Sequence, residues 1–180
     1  MKKYTTRELV YLASLVSLSV VLTRVLSLRI AIGSVDAIRI GFGALPLILA
    51  GITLGPVAGG IVGAIADVVG YVINPMGAYM PHFTLTSALT GLLPGFVVFY
   101  MLRGNQTYWA LICAITFGQL ISSIILVPYF LQSLFGIPIQ ATLLPRIVAQ
   151  VIQVPIYACL LRTLLSYSPM RITRATKPVS

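Results

Sequence analysis

Four arginines are the side chains best placed to bind a ligand. They lie at or near the ends of apolar segments, on the side away from the other eight basic residues, and they are Arg24, Arg29, Arg39 and Arg146. Asp36 is the only acidic residue in the neighbouring loops. Guanidinium groups bind carboxylates and phosphates through paired hydrogen bonds. The pattern therefore favours an anionic ligand on this side, with lipid head groups as the alternative partners of Arg29 and Arg39.

A layer of polar side chains lies within the apolar segments. At 1.5 Å per helical residue, four of them fall at a similar depth in the half nearer these arginines, and they are Asp67, Thr90, Gln119 and Gln150. Polar groups in hydrocarbon are costly unless they face a cavity or a partner. We therefore predict a cavity closed on one side of the membrane and open on the other. The two glutamines either face this cavity or form interhelical hydrogen bonds.

Asp67 is one of only three acidic residues in the chain. A lone carboxylate inside a membrane segment marks a functional site by default. It either contacts the ligand or forms a buried ion pair with Arg24 or Arg39. A third interpretation makes it the proton-coupling group of a stand-alone secondary transporter.

Further candidate ligand contacts lie between this layer and the loops, namely Tyr79, His82, Thr86 and Arg146. Arg146 and Gln150 are four residues apart, so they share one face of a helix. His82 follows a proline, and its alternative role is that of a residue at the end of a loop.

Glycines precede Asp67 in the stretch GPVAGGIVGAIADVVG, residues 55–70. Gly55, Gly59 and Gly63 are spaced four apart, which puts them on one helix face. Such a face lets two helices approach closely in a membrane. We therefore predict that these three glycines pack against another helix.

The elements that position these residues are membrane helices. The chain has 180 residues, of which 58% are apolar and 8% charged, and its mean hydropathy is +1.01. A soluble domain carries about 25% charged residues. Six apolar segments of nearly spanning length predict an all-α membrane protein with one domain over 1–180, at 7–28, 40–54, 56–73, 83–102, 107–131 and 143–166.

Basic residues orient the six predicted helices. Eight of them fall on one side, which the positive-inside rule makes cytoplasmic together with both termini; they are Lys2, Lys3, Arg7, Arg103, Arg162, Arg171, Arg174 and Lys177. The four ligand-side arginines are then external.

Several function classes are disfavoured by the residues. The basic residues are scattered and not gathered on a soluble face, which argues against nucleic acid as partner. The chain has no G-x-x-x-x-G-K-[ST] motif, so we expect it not to hydrolyse ATP. It has no H-E-x-x-H motif or close Cys/His cluster for a metal, and its single histidine and three acids give no general acid–base set. We therefore expect a protein that is not an enzyme and binds no cofactor.

The stretch from Arg39 to Gly91 resembles the S components of energy-coupling factor (ECF) transporters, in particular their folate-specific branch. The resemblance is carried by Arg39 and Phe42 before Pro46, by the glycine stripe into Asp67, and by GAYMPHFTLTSALTG at 77–91. It implies a six-helix subunit of the plasma membrane of a Gram-positive bacterium. Such a subunit captures a vitamin outside the cell and works with a transmembrane coupling protein and two ATPase subunits.

The resemblance also implies site residues. Folate has two carboxylates and a flat pterin ring, which suit Arg24, Arg146 and Arg39 at one end and Asp67 at the other. Gln150, Gln119, Tyr79, His82 and Thr86 are the remaining candidate contacts.

Members of this family dock on their coupling protein through small residues of the first helix, for which Ala13 and Ser17 are the nearest match. The loop from Ser27 to Ile38 is a candidate lid.

Three alternatives stay open at this point. The ligand is another anionic vitamin, or the chain is the proton-coupled secondary transporter described above, or it is a structural protein with no saturable ligand.

Overall fold

The computed structural model describes residues 4–24, 28–32, 35–75, 79–105 and 107–167. Seven α-helices and one antiparallel hairpin follow one another in these ranges: α1 (Thr6–Arg24), β1 (Leu28–Ile32), β2 (Val35–Ile40), α2 (Ala44–Leu54), α3 (Pro56–Ile73), α4 (Pro81–Phe96), α5 (Tyr108–Gln119), α6 (Val127–Phe135) and α7 (Ile139–Tyr167). A π-helical segment, Val97–Met101, continues α4, and another, Leu120–Leu126, joins α5 to α6. The helices therefore form six continuous stretches.

Five of these stretches are long and apolar enough to cross a membrane. The exception is α2, whose 11 residues cover only about 16 Å. The predicted segment 40–54 is wrong at its start, because Ile40 is the last residue of β2. The predicted segment 7–28 likewise extends too far, because α1 ends at Arg24 and Leu28 begins β1.

The hairpin replaces the loop predicted between the first two segments. In its register Leu28 pairs with Ile40 and Arg29 pairs with Arg39. Both strands contain isoleucines alternating with other residues, as in LRIAI and in the end of VDAIRI. β-Branched side chains in alternation favour a strand over a helix. The candidate lid at 27–38 thus consists mainly of a hydrogen-bonded hairpin.

Two prolines lie beside the π-helical segments. Pro94 lies three residues before the segment Val97–Met101, and Pro128 is the second residue after Leu120–Leu126. Proline lacks the N–H that an α-helix needs, so Pro128 leaves the carbonyl group four residues before it, in Leu120–Leu126, without its usual donor; the wider turns of that segment accommodate this loss. Pro46 lies in the first turn of α2, where a missing N–H is tolerated.

Glycines allow α2, α3 and α4 to pack with their backbones in contact. A Cβ atom on Gly59 would lie 2.4 Å from the carbonyl oxygen of Gly91, and one on Gly63 would lie 2.3 Å from that of Ser87. The predicted packing face is confirmed at these two positions. It is wrong for Gly55, where a Cβ would meet nothing within 4 Å. Gly55 instead has φ 107°, which the turn between α2 and α3 requires.

The chain that leaves the hairpin is fastened to the helices by two hydroxyl groups. Ser19 of α1 donates a hydrogen bond of 2.8 Å to the carbonyl oxygen of Gly43. Tyr157 of α7, which is fully buried, donates one to the carbonyl oxygen of Gly41 and packs edge-on against Phe42. The hairpin therefore leads into α2 at a fixed point of the helical core.

Candidate functional site

A cavity of about 140 Å³ lies between the first four helices. Its wall combines small residues with hydroxyl groups and one carboxylate: Ser19, Val20, Thr23, Gly43, Ala44, Leu47, Gly63, Ala66, Asp67, Gly70, Ser87 and Thr90. Glycines and alanines leave the space, and the polar groups converge on it. This is the composition expected of a ligand site, in which a few polar groups fix orientation.

Asp67 is held in this wall by two hydroxyl groups of α4. Thr84 donates a hydrogen bond of 2.7 Å to one carboxylate oxygen, and Ser87 donates a longer one of 3.4 Å to the other. The Thr84 hydroxyl also lies 2.9 Å from that of Tyr79. Among the residues that the structure describes, Asp67 forms no ion pair. Each carboxylate oxygen can accept more than one hydrogen bond, so Asp67 keeps acceptor capacity toward the cavity.

A second polar group extends from the cavity to α5 and α7. Thr90, in the cavity wall, donates a hydrogen bond of 3.1 Å to Ser122. One turn away, Gln119 is buried and its side-chain oxygen accepts a hydrogen bond of 3.5 Å from Gln150. The side-chain oxygen of Gln150 is buried and has no hydrogen-bond partner within the described ranges. The predicted polar layer therefore consists of two separate parts. Asp67 and Thr90 line the same cavity, and Gln119 and Gln150 are joined by a hydrogen bond one turn from Ser122.

Arg146 lies half-buried in α7, one turn from Gln150. It makes no hydrogen bond or ion pair with any residue that the structure describes. A guanidinium group in an apolar setting is costly without an anionic partner. Arg146 thus has the properties expected of an anion-binding residue.

The other candidate contacts are less directly placed. Tyr79 is exposed and packs on Tyr71, with ring centroids 5.2 Å apart. His82 is exposed, with its ring 5.0 Å from that of Phe130. Thr86 is buried, and its hydroxyl donates to the carbonyl oxygen of Phe83 within its own helix. Neither His82 nor Thr86 lines the cavity.

Arg24 and Arg39 belong to α1 and β2, but the positions of their side chains lie outside the described part of the chain. Their roles as ligand contacts stay predictions. The backbone places Arg39 opposite Arg29 in the hairpin.

Three polar residues of the cavity wall were not predicted from the sequence, namely Ser19, Thr23 and Ser87. Ser19 and Thr23 are four residues apart, so they lie on one face of α1. That spacing is the signal that could have identified them. Serine and threonine hydroxyl groups often donate hydrogen bonds to backbone carbonyl groups within their own helix, so their presence in an apolar helix does not by itself indicate a ligand site.

Ala13 and Ser17 of α1 are exposed and lie one turn apart. The hydroxyl of Ser17 donates a hydrogen bond of 3.1 Å to the carbonyl oxygen of Ala13. Because the Ser17 hydroxyl is hydrogen-bonded within its own helix, this exposed part of α1 consists of small side chains and has no unpaired hydroxyl donor at Ser17.

Comparison with known proteins connects this structure to one group of membrane proteins. The family model of the ECF-type riboflavin transporter S component matches residues 3–166. A curated relative, the folate transporter FolT of Clostridium novyi (strain NT), is 34% identical over 150 residues, which are 83% of each chain.

Solved structures give the same grouping. A crystal structure of FolT bound with folic acid superposes with a TM-score of 0.74 at 28% identity, covering 89% of this chain and 95% of the other. The S-component for biotin from an ECF-type ABC transporter gives a TM-score of 0.72 at 17% identity, covering 93% and 97% of the two chains, and shows the shared fold. The predicted six-helix membrane fold is thereby confirmed, with the hairpin and the short α2 as its departures.

Proposed function

The chain belongs to the S components of ECF-type transporters, and on this premise we propose that it captures folate outside the cell for uptake. The observation that carries the proposal is its likeness to folate transporters in both sequence and structure, over most of each chain. The family consists of multi-pass membrane transporter components and not of enzymes.

The family model names riboflavin, whereas the curated relative and the solved structure name folate and folic acid. Riboflavin carries no charged group at neutral pH, and folate carries two carboxylates. Arg146 is half-buried and has no ion pair among the described residues, so an anionic ligand offsets the cost of keeping it in the membrane. This difference in charge favours folate.

We expect the purified protein to bind folic acid tightly and riboflavin about 100-fold more weakly, because riboflavin leaves the half-buried Arg146 without an anionic partner. Isothermal titration in detergent with both vitamins measures the two dissociation constants. Mass spectrometry of small molecules that copurify with the protein gives an independent check. Tight binding of riboflavin, or of no vitamin, would contradict the proposal.

Uptake of folate then needs a transmembrane coupling protein and two ATPase subunits in the plasma membrane of a Gram-positive bacterium. Reconstituted vesicles separate this mechanism from a proton-coupled transporter that uses Asp67. The proposal expects folate uptake only when the partners and ATP are present. Uptake driven by a proton gradient in vesicles that contain this chain alone supports the second mechanism.

Ala13→Trp and Ser17→Trp are expected to leave the affinity for folic acid unchanged and to abolish assembly with the coupling protein. Both residues are exposed and neither lines the cavity, and a bulky ring prevents the close approach that small residues allow. Copurification with the coupling protein and ATP-driven uptake are the measurements. Leu18→Trp, next to this pair and also exposed, tests how wide the face is. Normal copurification of both Ala13→Trp and Ser17→Trp contradicts the assignment.

A further inference from the structure

The helix ends opposite the cavity carry three exposed arginines. Arg7 is the second residue of α1, whereas the cavity lies near the other end of that helix, at Thr23. Arg103 lies in the turn between the helical stretches of α4 and α5, and Arg162 lies five residues before the end of α7. All three side chains are exposed. Within the described ranges, none of them forms an ion pair.

The acidic residues of the chain do not neutralise this end. Glu8 accepts hydrogen bonds of 2.7 and 3.1 Å from the backbone N–H and the hydroxyl of Thr5, as a capping residue of α1. Asp36 belongs to the hairpin and Asp67 to the cavity wall. Five further basic residues precede or follow the described ranges, namely Lys2, Lys3, Arg171, Arg174 and Lys177. The excess of positive charge suits an anionic partner.

Aromatic side chains place this end at the level of lipid head groups. Tyr100 and Trp109 are 69% and 72% exposed, and the ring of Trp109 lies edge-on to that of Tyr108, with centroids 5.8 Å apart. Tyrosine and tryptophan concentrate where hydrocarbon meets water, because each combines an apolar ring with a polar group. Arg103 lies between Tyr100 and Trp109 in the chain, so its guanidinium group reaches the depth of the lipid phosphates.

The backbone of Arg103 has a conformation that arginine rarely adopts. Its φ is 49°, in the left-handed region that favours glycine, and Gly104 follows with φ 79°. Hydrogen bonds from the N–H of Gly104 to the carbonyl of Val98, at 2.8 Å, and from the N–H of Asn105 to that of Leu102, at 2.9 Å, close the turn. A residue with a Cβ atom lowers stability in this conformation. Its presence in a well-formed turn points to a function of its side chain.

We propose that Arg7, Arg103 and Arg162 form an interaction surface for the head groups of anionic phospholipids. The guanidinium groups bind lipid phosphates through paired hydrogen bonds, and Tyr100 and Trp109 lie against the glycerol groups and the first part of the acyl chains. The positive-inside rule places this end in the cytoplasm, where the leaflet carries negative charge. The inference is independent of which vitamin the cavity binds.

Native mass spectrometry of the purified full chain in detergent measures the binding of two lipids with identical acyl chains. Dioleoylphosphatidylglycerol is negatively charged, and dioleoylphosphatidylcholine is zwitterionic. The wild-type protein is expected to bind the first about 100-fold more tightly, because each arginine at an anionic surface contributes about fivefold. Changing Arg7, Arg103 and Arg162 together to glutamine is expected to abolish this preference. Thr163→Ala, an exposed neutral neighbour of Arg162, is the matched control and is expected to change neither affinity.

Arg103→Gly separates lipid binding from folding. Glycine adopts the left-handed conformation without strain, so the unfolding temperature is expected to rise by about 2–4 °C. The affinity for phosphatidylglycerol is expected to fall about fivefold at the same time. A purely structural role of Arg103 predicts no loss of lipid affinity. This variant decides the question if the triple variant does not fold.

Three results overturn the proposal. Equal affinities of the wild-type protein for the two lipids leave the arginines with a role in topology alone. Binding of glycerol 3-phosphate as tightly as of phosphatidylglycerol identifies a site for soluble phosphates. A triple variant that keeps its affinity for phosphatidylglycerol but no longer copurifies with the coupling protein identifies a protein contact instead.

Discussion

Asp67→Asn is expected to lower the affinity for folic acid about 100-fold, because it removes a charged acceptor from an enclosed site. Hydrogen bonds to an ionised group contribute about 1.5–3 kcal/mol, and every 1.4 kcal/mol is tenfold in affinity. Thr84 and Ser87 orient the carboxylate at 2.7 and 3.4 Å. Asparagine has the same shape, and its side-chain oxygen can still accept the hydrogen bond from Thr84. The folded structure is therefore expected to persist while the affinity falls.

Titration with folic acid and thermal unfolding in detergent distinguish this role from a structural one. A large loss of affinity with an unchanged unfolding temperature assigns Asp67 to ligand binding. Poor folding of Asp67→Asn identifies a buried ion pair instead. Thr84→Val is the companion variant, because it removes the hydroxyl that orients the carboxylate and keeps the charge. Its expected loss is about tenfold, because the charge that binds the ligand stays and only its orientation is lost.

Depth along the helices was enough to predict which polar residues meet. Counting 1.5 Å per residue placed Asp67, Thr90, Gln119 and Gln150 in one layer. In the structure Asp67 and Thr90 line one cavity, and Gln119 and Gln150 form a hydrogen bond. Depth could not predict the division between the groups, because it says nothing about rotation around each helix axis. That rotation is set by packing against neighbouring helices, and packing depends on residues far apart in sequence.

The hairpin between α1 and α2 shows a different limit. Its isoleucines were counted as membrane sequence or as loop, because a hydropathy pattern of spanning length dominated the interpretation. Alternation of apolar and other residues over the five or six residues of a strand is weak evidence for a strand when a much longer apolar segment lies beside it. The same error extended the second predicted helix back to Ile40, which the structure places in β2.

Glycine spacing predicted a packing face correctly where both helices meet, and incorrectly where the chain turns. Gly59 and Gly63 contact the backbone of α4, whereas Gly55 serves the backbone turn before Pro56. A sequence pattern shows that a side chain is absent. It does not show whether space or backbone conformation requires that absence.

Gly59→Ala is expected to destabilise the fold by about 3 kcal/mol, at the upper end for overpacking in a core. The new Cβ would lie 2.4 Å from the carbonyl oxygen of Gly91 and 2.7 Å from the Cα of Gly51. Both neighbours are backbone atoms, so no rotamer change relieves the contact. The helices α2, α3 and α4 must separate, which lowers the thermal unfolding temperature by about 6–12 °C for a chain of this size.

Gly60→Ala is the matched control, one residue further along the same helix. There the added Cβ would lie 3.4 Å from the side chain of Leu92, which is an ordinary contact. Alanine also favours a helix over glycine by about 0.5–1 kcal/mol, so this variant is expected to unfold at the same or a higher temperature. Equal unfolding temperatures for the two variants would show that α3 and α4 can separate freely. The close backbone packing would then contribute nothing to stability, and the walls of the cavity between these helices would be held by other contacts.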